Sequence, residues 1–481
     1  MAIVGPQSSA VSQFSAHIGR RTLIPFISFG ATDPHLSVMD YPFFFRVAPN
    51  DVLQMEAIAS FIANYGWREI VLIHMNDDYG SNGASTLSDA LQVRGSKLVD
   101  KVAFTPEVDK PTLARQLVKL TNKQTRIFVL HTHVDVGHMV LQEASYLNML
   151  GSGYVWIVTD LLATSLGNPS LLAKGYDYTQ GIVGIRRHIN QTPQLNGFLA
   201  GWKKKYLNHS LGLYPSASTN SYGLYAYDAV WVVARALDSY LNDKQTINFI
   251  KPPLLPVSVG GESELTHLNI FEGGETMRNH ILQTEFIGAS GPIKFSKTGD
   301  IEGASFEYIN IVNKQLNTVG YWWANSSGIS LKAPPNVELS ALNTDISEDH
   351  TFLSYNGMPV NATRMSITWP GWSTEAPRGW TLPKNGSPLR IGVPKKAGAY
   401  SEVVGDNTDS NNGTYHGFCI EVFEAALKYL PYAVPYRYEM IGDGTHMPIY
   451  ADMVLKLARQ VQMLLVLLSK VVHNIDIYIY I

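Results

Sequence analysis

The chain has 481 residues, 45% hydrophobic and 16% charged, with a formal net charge of -3. That is enough for roughly two to four domains with sizeable cores. The near-neutral balance and the lack of a basic stripe interleaved with aromatics exclude nucleic acid as a partner on electrostatic grounds. Cys419 is the single cysteine, so no disulfide can form within the chain, and this leans towards a reducing compartment. Glycosylation sequons at Asn208, Asn325, Asn361 and Asn412 weigh little against it, because a chain of this length produces a few by chance. Met1 leads directly into a strand-like segment, without the basic and apolar regions of a signal peptide. The most apolar run, "MLLVLL" at 463–468, lies between Arg459 and Lys470. It falls far short of the roughly 20 residues of a transmembrane helix.

In chain order, "MAIV" reads as the end of a buried strand, broken by Gly5 and Pro6 and followed by Ser8, Ser9 and Ser12 at a helix start. "LIPFIS" at 23–28 is a strand. "DVLQMEAIASFIANYG" at 51–66 is a helix, with Leu53, Ile58, Phe61 and Ile62 on one face and Gly66 as its stop. Strands follow at 69–75, 98–104, 126–131 and 154–159, alternating with helical patterns near 84–95, 109–122 and 135–149. Unbroken apolar strands alternating with helices imply a parallel sheet covered on both faces. "SYGLYAYDAVWVVARALDSYL" at 221–241 is a long central helix, and 291–301 and 305–323 read as strands joined by turns. Residues 324–388 are rich in Pro, Ser, Asn and Gly and read as a linker. A second α/β domain opens with "LRIGVPKK" at 389–396 and a helix at 417–431. After Leu457 the pattern offers neither turn chemistry nor a return strand.

Few motifs carry chemistry. His131, His133 and Asp135 in "HTHVDVG" have a metal-like spacing but no second ligand element. They read as a strand end with solvated side chains. Asp77 and Asp78 read as a solvated turn that starts a helix. Nucleophile elbow, P-loop and dinucleotide fingerprints are absent, and nothing points to an enzyme or a cofactor. In open parallel sheets, however, ligands bind beyond the carboxyl ends of the strands. That rule collects Ser8 and Ser9, Thr32, Tyr79 and Asp160. Hydroxyls and free N–H groups at helix starts suit a carboxylate, and Asp160 with Tyr79 suits an ammonium. The competing reading is plain helix capping.

The stretches "GPQSS", "SFGATDPHLS", "YGWREIVLIHMNDDYGSNG", "GSGYVWIVTDLL", "NSYGLYAYDAVWVVARALD", "ILQTEFIGASGPIKF", "PRGWTLPKNGSPLRIGVP" and "GFCIEVFEAALKYLPYAVPY" together resemble the plant glutamate receptor-like channels. The likeness runs from about residue 2 to about 457. It implies an α/β amino-terminal domain of the bilobal, type I periplasmic-binding-protein kind over 1–325, a linker over 326–388, and the first segment of an incomplete α/β agonist-binding domain over 389–457. Residues 458–481 match nothing in the family. By the same likeness, roughly 1–66 and 215–285 form the first lobe and 67–214 with 286–325 the second. The family's signal peptide and first strand–helix–strand unit precede "GPQSS", and its pore follows the agonist segment. The chain therefore reads as truncated at both ends, and its first sheet is expected to have an exposed edge.

The resemblance also implies a function. Family members are tetrameric, membrane-bound, glutamate-gated cation channels, and this portion would be extracellular. Position by position, Ser9 and Thr32 match residues that hold a ligand's α-carboxylate in related clamshells, and Tyr79 and Asp160 match those that face its ammonium. Tyr415 sits where ionotropic receptors place an aromatic ring over the agonist. The implied partners are a small amino acid such as glutamate or glycine and other receptor subunits. The alternative is a soluble bilobal amino-acid-binding protein without channel activity, for which a segment like 389–457 has no use.

Overall fold

The computed structural model describes residues 1–37, 41–166, 177–209, 220–251, 268–324, 328–334, 365–381, 389–394, 404–405, 415–416, 418–428, 436–441, 463–471 and 474–480. The sequons at Asn325, Asn361 and Asn412 lie outside them, as does 442–457. Two compact units emerge, one of residues 1–121 and 125–380, the other of 122–124 and 381–481.

The first unit has two sheets. β1 (Ile3–Val4), β2 (Phe26–Ser28) and β3 (Phe44–Arg46) form a parallel sheet in that order. The helix α1 (Ser9–Thr22) links the first two, and its N-cap Ser8 accepts the Val11 amide at 3.4 Å. The helices Ser221–Asn242 and Gly274–Leu282 pack on this sheet, joining Ile27 and Phe45 to Tyr225, Val232, Met277 and Ile281 in one apolar core. As expected, β1 lies at an edge, with Ile3 and Val4 each 38% exposed.

The larger sheet contains β4 (Glu69–Met75), β5 (Lys97–Phe104), β6 (Ile127–His131), β7 (Val155–Val158) and β8 (Val183–Arg187). Two short ribbons follow, β9 (Phe249–Ile250) with β10 (Ile270–Phe271) and β11 (Phe286–Ile287) with β12 (Pro292–Ile293). The sheet is completed by β13 (Ser305–Val312) and β14 (Gln315–Trp323), in the order β14-β13-β8-β7-β6-β4-β5. β4 to β8 pair in parallel, and β13 is antiparallel to both neighbours. The β13–β14 turn uses positive φ at Asn313 and Lys314, which matches the twist of a tight hairpin. Helices α2 (Asp51–Asn64), α3 (Asp78–Val93), α4 (Lys110–Thr121), α5 (Val134–Tyr146) and α6 (Asp160–Leu166) cover its faces.

Packing moves two expected boundaries. The helix α2 belongs to the second lobe, because Met55, Ile58, Phe61 and Ile62 bury against β4, β6, β7 and β8. Conversely, Phe286, Ile293, Phe295 and Ile301 join the core of the first lobe. The chain therefore crosses to the second lobe after β3 and again before β13. The supposed linker also contributes structure: Met365, Ile367 and Trp369 are 5%, 3% and 1% exposed in the second lobe's core. The Asn310 side chain donates to the Thr368 carbonyl and accepts its amide, at 3.1 and 2.9 Å.

In the second unit, β15 (Leu389–Pro394), β16 (Val404–Gly405), β17 (Tyr415–His416), β18 (Tyr436–Ile441), β19 (Met463–Val471) and β20 (Asn474–Tyr480) accompany the helix Phe418–Lys428. The sheet order is β18-β15-β19-β20. The segment after 457 thus does supply strands. β19 pairs in parallel with β15, and β20 returns antiparallel to it. Its apolar run and the alternation of "NIDIYIY" suit extended backbone. Among the described residues no helix is long and apolar enough to cross a membrane.

Candidate functional site

The carboxyl ends of β2, β3, β4 and β7 and the helix starts beyond them converge on one cleft in the first unit. It is lined by Thr32, Asn50, Asp51, Gln54, Tyr79, Asp160, Tyr222 and Phe306, among others. The side chains nearly fill it, leaving space of about 10 Å3, the room of a single water. Three of the residues singled out in sequence, Thr32, Tyr79 and Asp160, meet here. Each stands just past a strand, where the backbone turns into a helix.

Ser9 does not reach the cleft lining. The residue is 7% exposed, and its hydroxyl accepts the Asp33 amide at 3.3 Å, which fastens the loop after β2 to α1. Tyr415 lies on β17 in the second unit, and its side chain lies outside the described residues.

The cleft's electrostatics centre on two buried carboxyls. Asp51 opens α2 and is 1% exposed. Its Oδ2 accepts the Thr32 hydroxyl at 2.8 Å and its Oδ1 the Gln54 amide at 2.6 Å. Burial pushes its pKa up to about 7 despite these bonds and the nearby Arg46. Asp160 opens α6, accepts the Thr164 hydroxyl at 3.0 Å and is pushed up to about 6, again chiefly by burial. Gln54 couples the two, because its Oε1 also accepts the Asp160 amide at 2.5 Å. Thr32 is therefore bonded to a carboxylate of the protein itself.

Tyr79 is 8% exposed, and its ring centroid is 4.1 Å from that of His131 and 5.7 Å from that of His133. Burial raises its phenol pKa well above the ordinary value, so it stays protonated. His131 corrects the expectation of solvated side chains. It is fully buried between the Thr159 hydroxyl at 3.2 Å and the Tyr79 carbonyl at 3.3 Å, and desolvation lowers its pKa to about 3. A neutral ring here supports Tyr79 rather than a metal, and no group of three ligating side chains stands together among the described residues. Asp77 caps α3 by accepting the Gly80 amide at 2.8 Å, and His133 Nε2 lies 3.3 Å from it.

Two further sets of contacts brace the loop after β2. The Asp33 carboxylate, on the first lobe, accepts from the Asn82 side chain of α3 at 2.9 and 3.1 Å and from the His35 amide at 3.0 Å. The fully buried Arg46 holds Asp300 at 2.5 Å and the Asp33 carbonyl at 2.7 Å. The sequence reading missed Asp51, Gln54 and Tyr222. Strand β3, in "FFFRV", is only three residues long and gives little local signal, so nothing in the sequence marks the residues after it as a strand end.

Comparison with known proteins agrees with this architecture. The profile of the receptor family ligand binding region matches residues 1–314. Glutamate receptor 3.4 of Arabidopsis thaliana is 37% identical over 94% of the chain and 45% of its own length. Glutamate receptor 3.1 of Oryza sativa subsp. japonica is 35% identical over 95% and 47%, and glutamate receptor 3.2 of Arabidopsis thaliana 35% over 94% and 48%. The chain thus spans just under half the length of these relatives. With a bilobal α/β ligand-binding region and this likeness along nearly all its length, the chain belongs to the plant glutamate receptor-like family.

Proposed function

We propose that the chain is the extracellular ligand-binding portion of a glutamate-gated, non-selective cation-channel subunit, a membrane receptor rather than an enzyme. In this reading the cleft of the first unit binds a small ligand through a protonated amino group, such as an amino acid like glutamate or glycine carries. The observation that carries it is the convergence of Asp160, Asp51 and Tyr79 on one cleft at the strand ends. Carboxylates and an aromatic face stabilise an ammonium, and burial strengthens that attraction. Other subunits of the family are the partners, and residues 389–457, with Tyr415, serve as the first segment of a separate agonist domain. A soluble binding protein is the weaker reading, because likeness to glutamate receptors covers 94% of the chain, second unit included.

Isothermal titration of the chain with glycine and with glutamate tests the cleft. Binding by either ligand that falls at least about 30-fold in Asp160→Asn is expected, since losing one partner of a buried charged contact costs about 2–5 kcal/mol. Unchanged affinity in that variant overturns the assignment.

A further inference from the structure

The charge of the cleft lining narrows the ligand class, resting on the reading that this cleft binds an amino group. We infer that the cleft selects amino-group ligands without a second carboxylate, small neutral amino acids or simple amines, and rejects the dicarboxylic amino acids glutamate and aspartate. The lining carries two ionisable acids, Asp51 and Asp160, and no lysine, arginine or histidine.

Three arginines stand nearby outside the lining, and each already has an anionic or carbonyl partner of this chain; Arg186 and Arg187 also lower the pKa of Asp160 by their charge. Arg46 is bonded to Asp300 and to the Asp33 carbonyl. Arg186 holds Glu307 at 2.5 Å. Arg187 donates to the Val47 carbonyl at 3.3 Å and lies over the Tyr225 ring at 5.4 Å. A side-chain carboxylate entering the cleft would therefore leave water, would compete with Asp160 and Glu307 for cations already paired, and would face Asp51. A desolvated like-charge contact of this kind is strongly unfavourable. The hydroxyl best placed to receive an anion, that of Thr32, is already engaged by Asp51. Space argues the same way: with room for about one water, the smallest ligands separate the walls least. Tyr222 and Phe306 add aromatic surface to the lining, which suits an apolar or absent side chain.

The test is calorimetric titration of the whole chain with glycine, alanine, ethanolamine, glutamate and aspartate in one buffer at about pH 8.5, where Asp51 is ionised. Binding of glycine, alanine or ethanolamine is expected, with glutamate and aspartate weaker by about 100-fold or more. The Asp51→Asn variant should narrow that gap by about 10-fold, because the facing charge is gone. Glutamate or aspartate binding as tightly as glycine overturns the inference while leaving the amino-group reading standing. Silence from all five overturns both.

Discussion

Asp51 concentrates the physics of the cleft in one residue. Its folded pKa of about 7 lies above the 3.8 of an unperturbed aspartate, so the folded chain holds this proton more tightly than the unfolded chain. The stability it contributes is complete below the unfolded value and is lost as pH rises through the folded one. Asp160, at about 6, acts in the same direction. His131, lowered to about 3, acts oppositely, contributing stability above its ordinary value that is lost as pH falls. His74 and His138, also lowered by burial, act with His131, so the readout is the difference between variants: relative to the parent chain, Asp51→Asn should gain melting temperature as pH rises from about 4 to 7. Calorimetry across that range checks this; an identical slope in the variant would contradict it. Gly83 supplies a second case. A Cβ there would lie 2.4 Å from His131 Nε2, and that ring is locked by two hydrogen bonds. Gly83→Ala should cost about 1–3 kcal/mol in urea unfolding, as overpacking does.

Among the elements, the segment 365–380 behaves as part of the second lobe rather than as a tether. Trp369 meets Trp67 edge-on at 5.7 Å, Trp67 donates to the Pro377 carbonyl at 2.8 Å, and the Arg126 amide reaches the Gly379 carbonyl at 2.8 Å. Trp369→Ala should cost about 3–5 kcal/mol, the usual loss for a large buried aromatic, measured by denaturant unfolding of the first unit. The opposite case is α1, where Val11 and Phe14 are 53% and 59% exposed. Phe14→Ser should change stability by less than about 0.5 kcal/mol while improving solubility. A large loss of stability would show that Phe14 packs against something.

For the whole molecule, these contacts decide where the first unit ends. A chain stopped after residue 325 loses Met365, Ile367 and Trp369 from its core, each worth about 1.5–3 kcal/mol on burial. That sum approaches the usual stability margin of about 5–15 kcal/mol. A chain stopped after 381 keeps them. The longer version should melt cooperatively, and the shorter should melt at least about 10 °C lower or aggregate. Equal melting temperatures would mean that the strap is dispensable.

Local pattern alone located most of the elements. "EIVLIHM" became β4 over the same seven residues, and the helices at 51–66, 109–122 and 221–241 appeared within a few residues of their expected ends, because apolar periodicity is a property of short stretches of chain. The strand-end rule likewise brought Thr32, Tyr79 and Asp160 together, since β-strand, turn and helix start are local features whose convergence the parallel sheet enforces. What the sequence did not reveal depends on which surfaces meet. Nothing in "DVLQMEAIASFIAN" says which lobe its apolar face will cover, and nothing in "RMSITWPGW" marks it as core rather than linker. The engagement of Ser9 by Asp33 and of Thr32 by Asp51, and the neutrality of His131, come from groups distant in the chain and from exclusion of water. Those are consequences of tertiary packing, because burial and charge pairing depend on position in space and not on order along the chain.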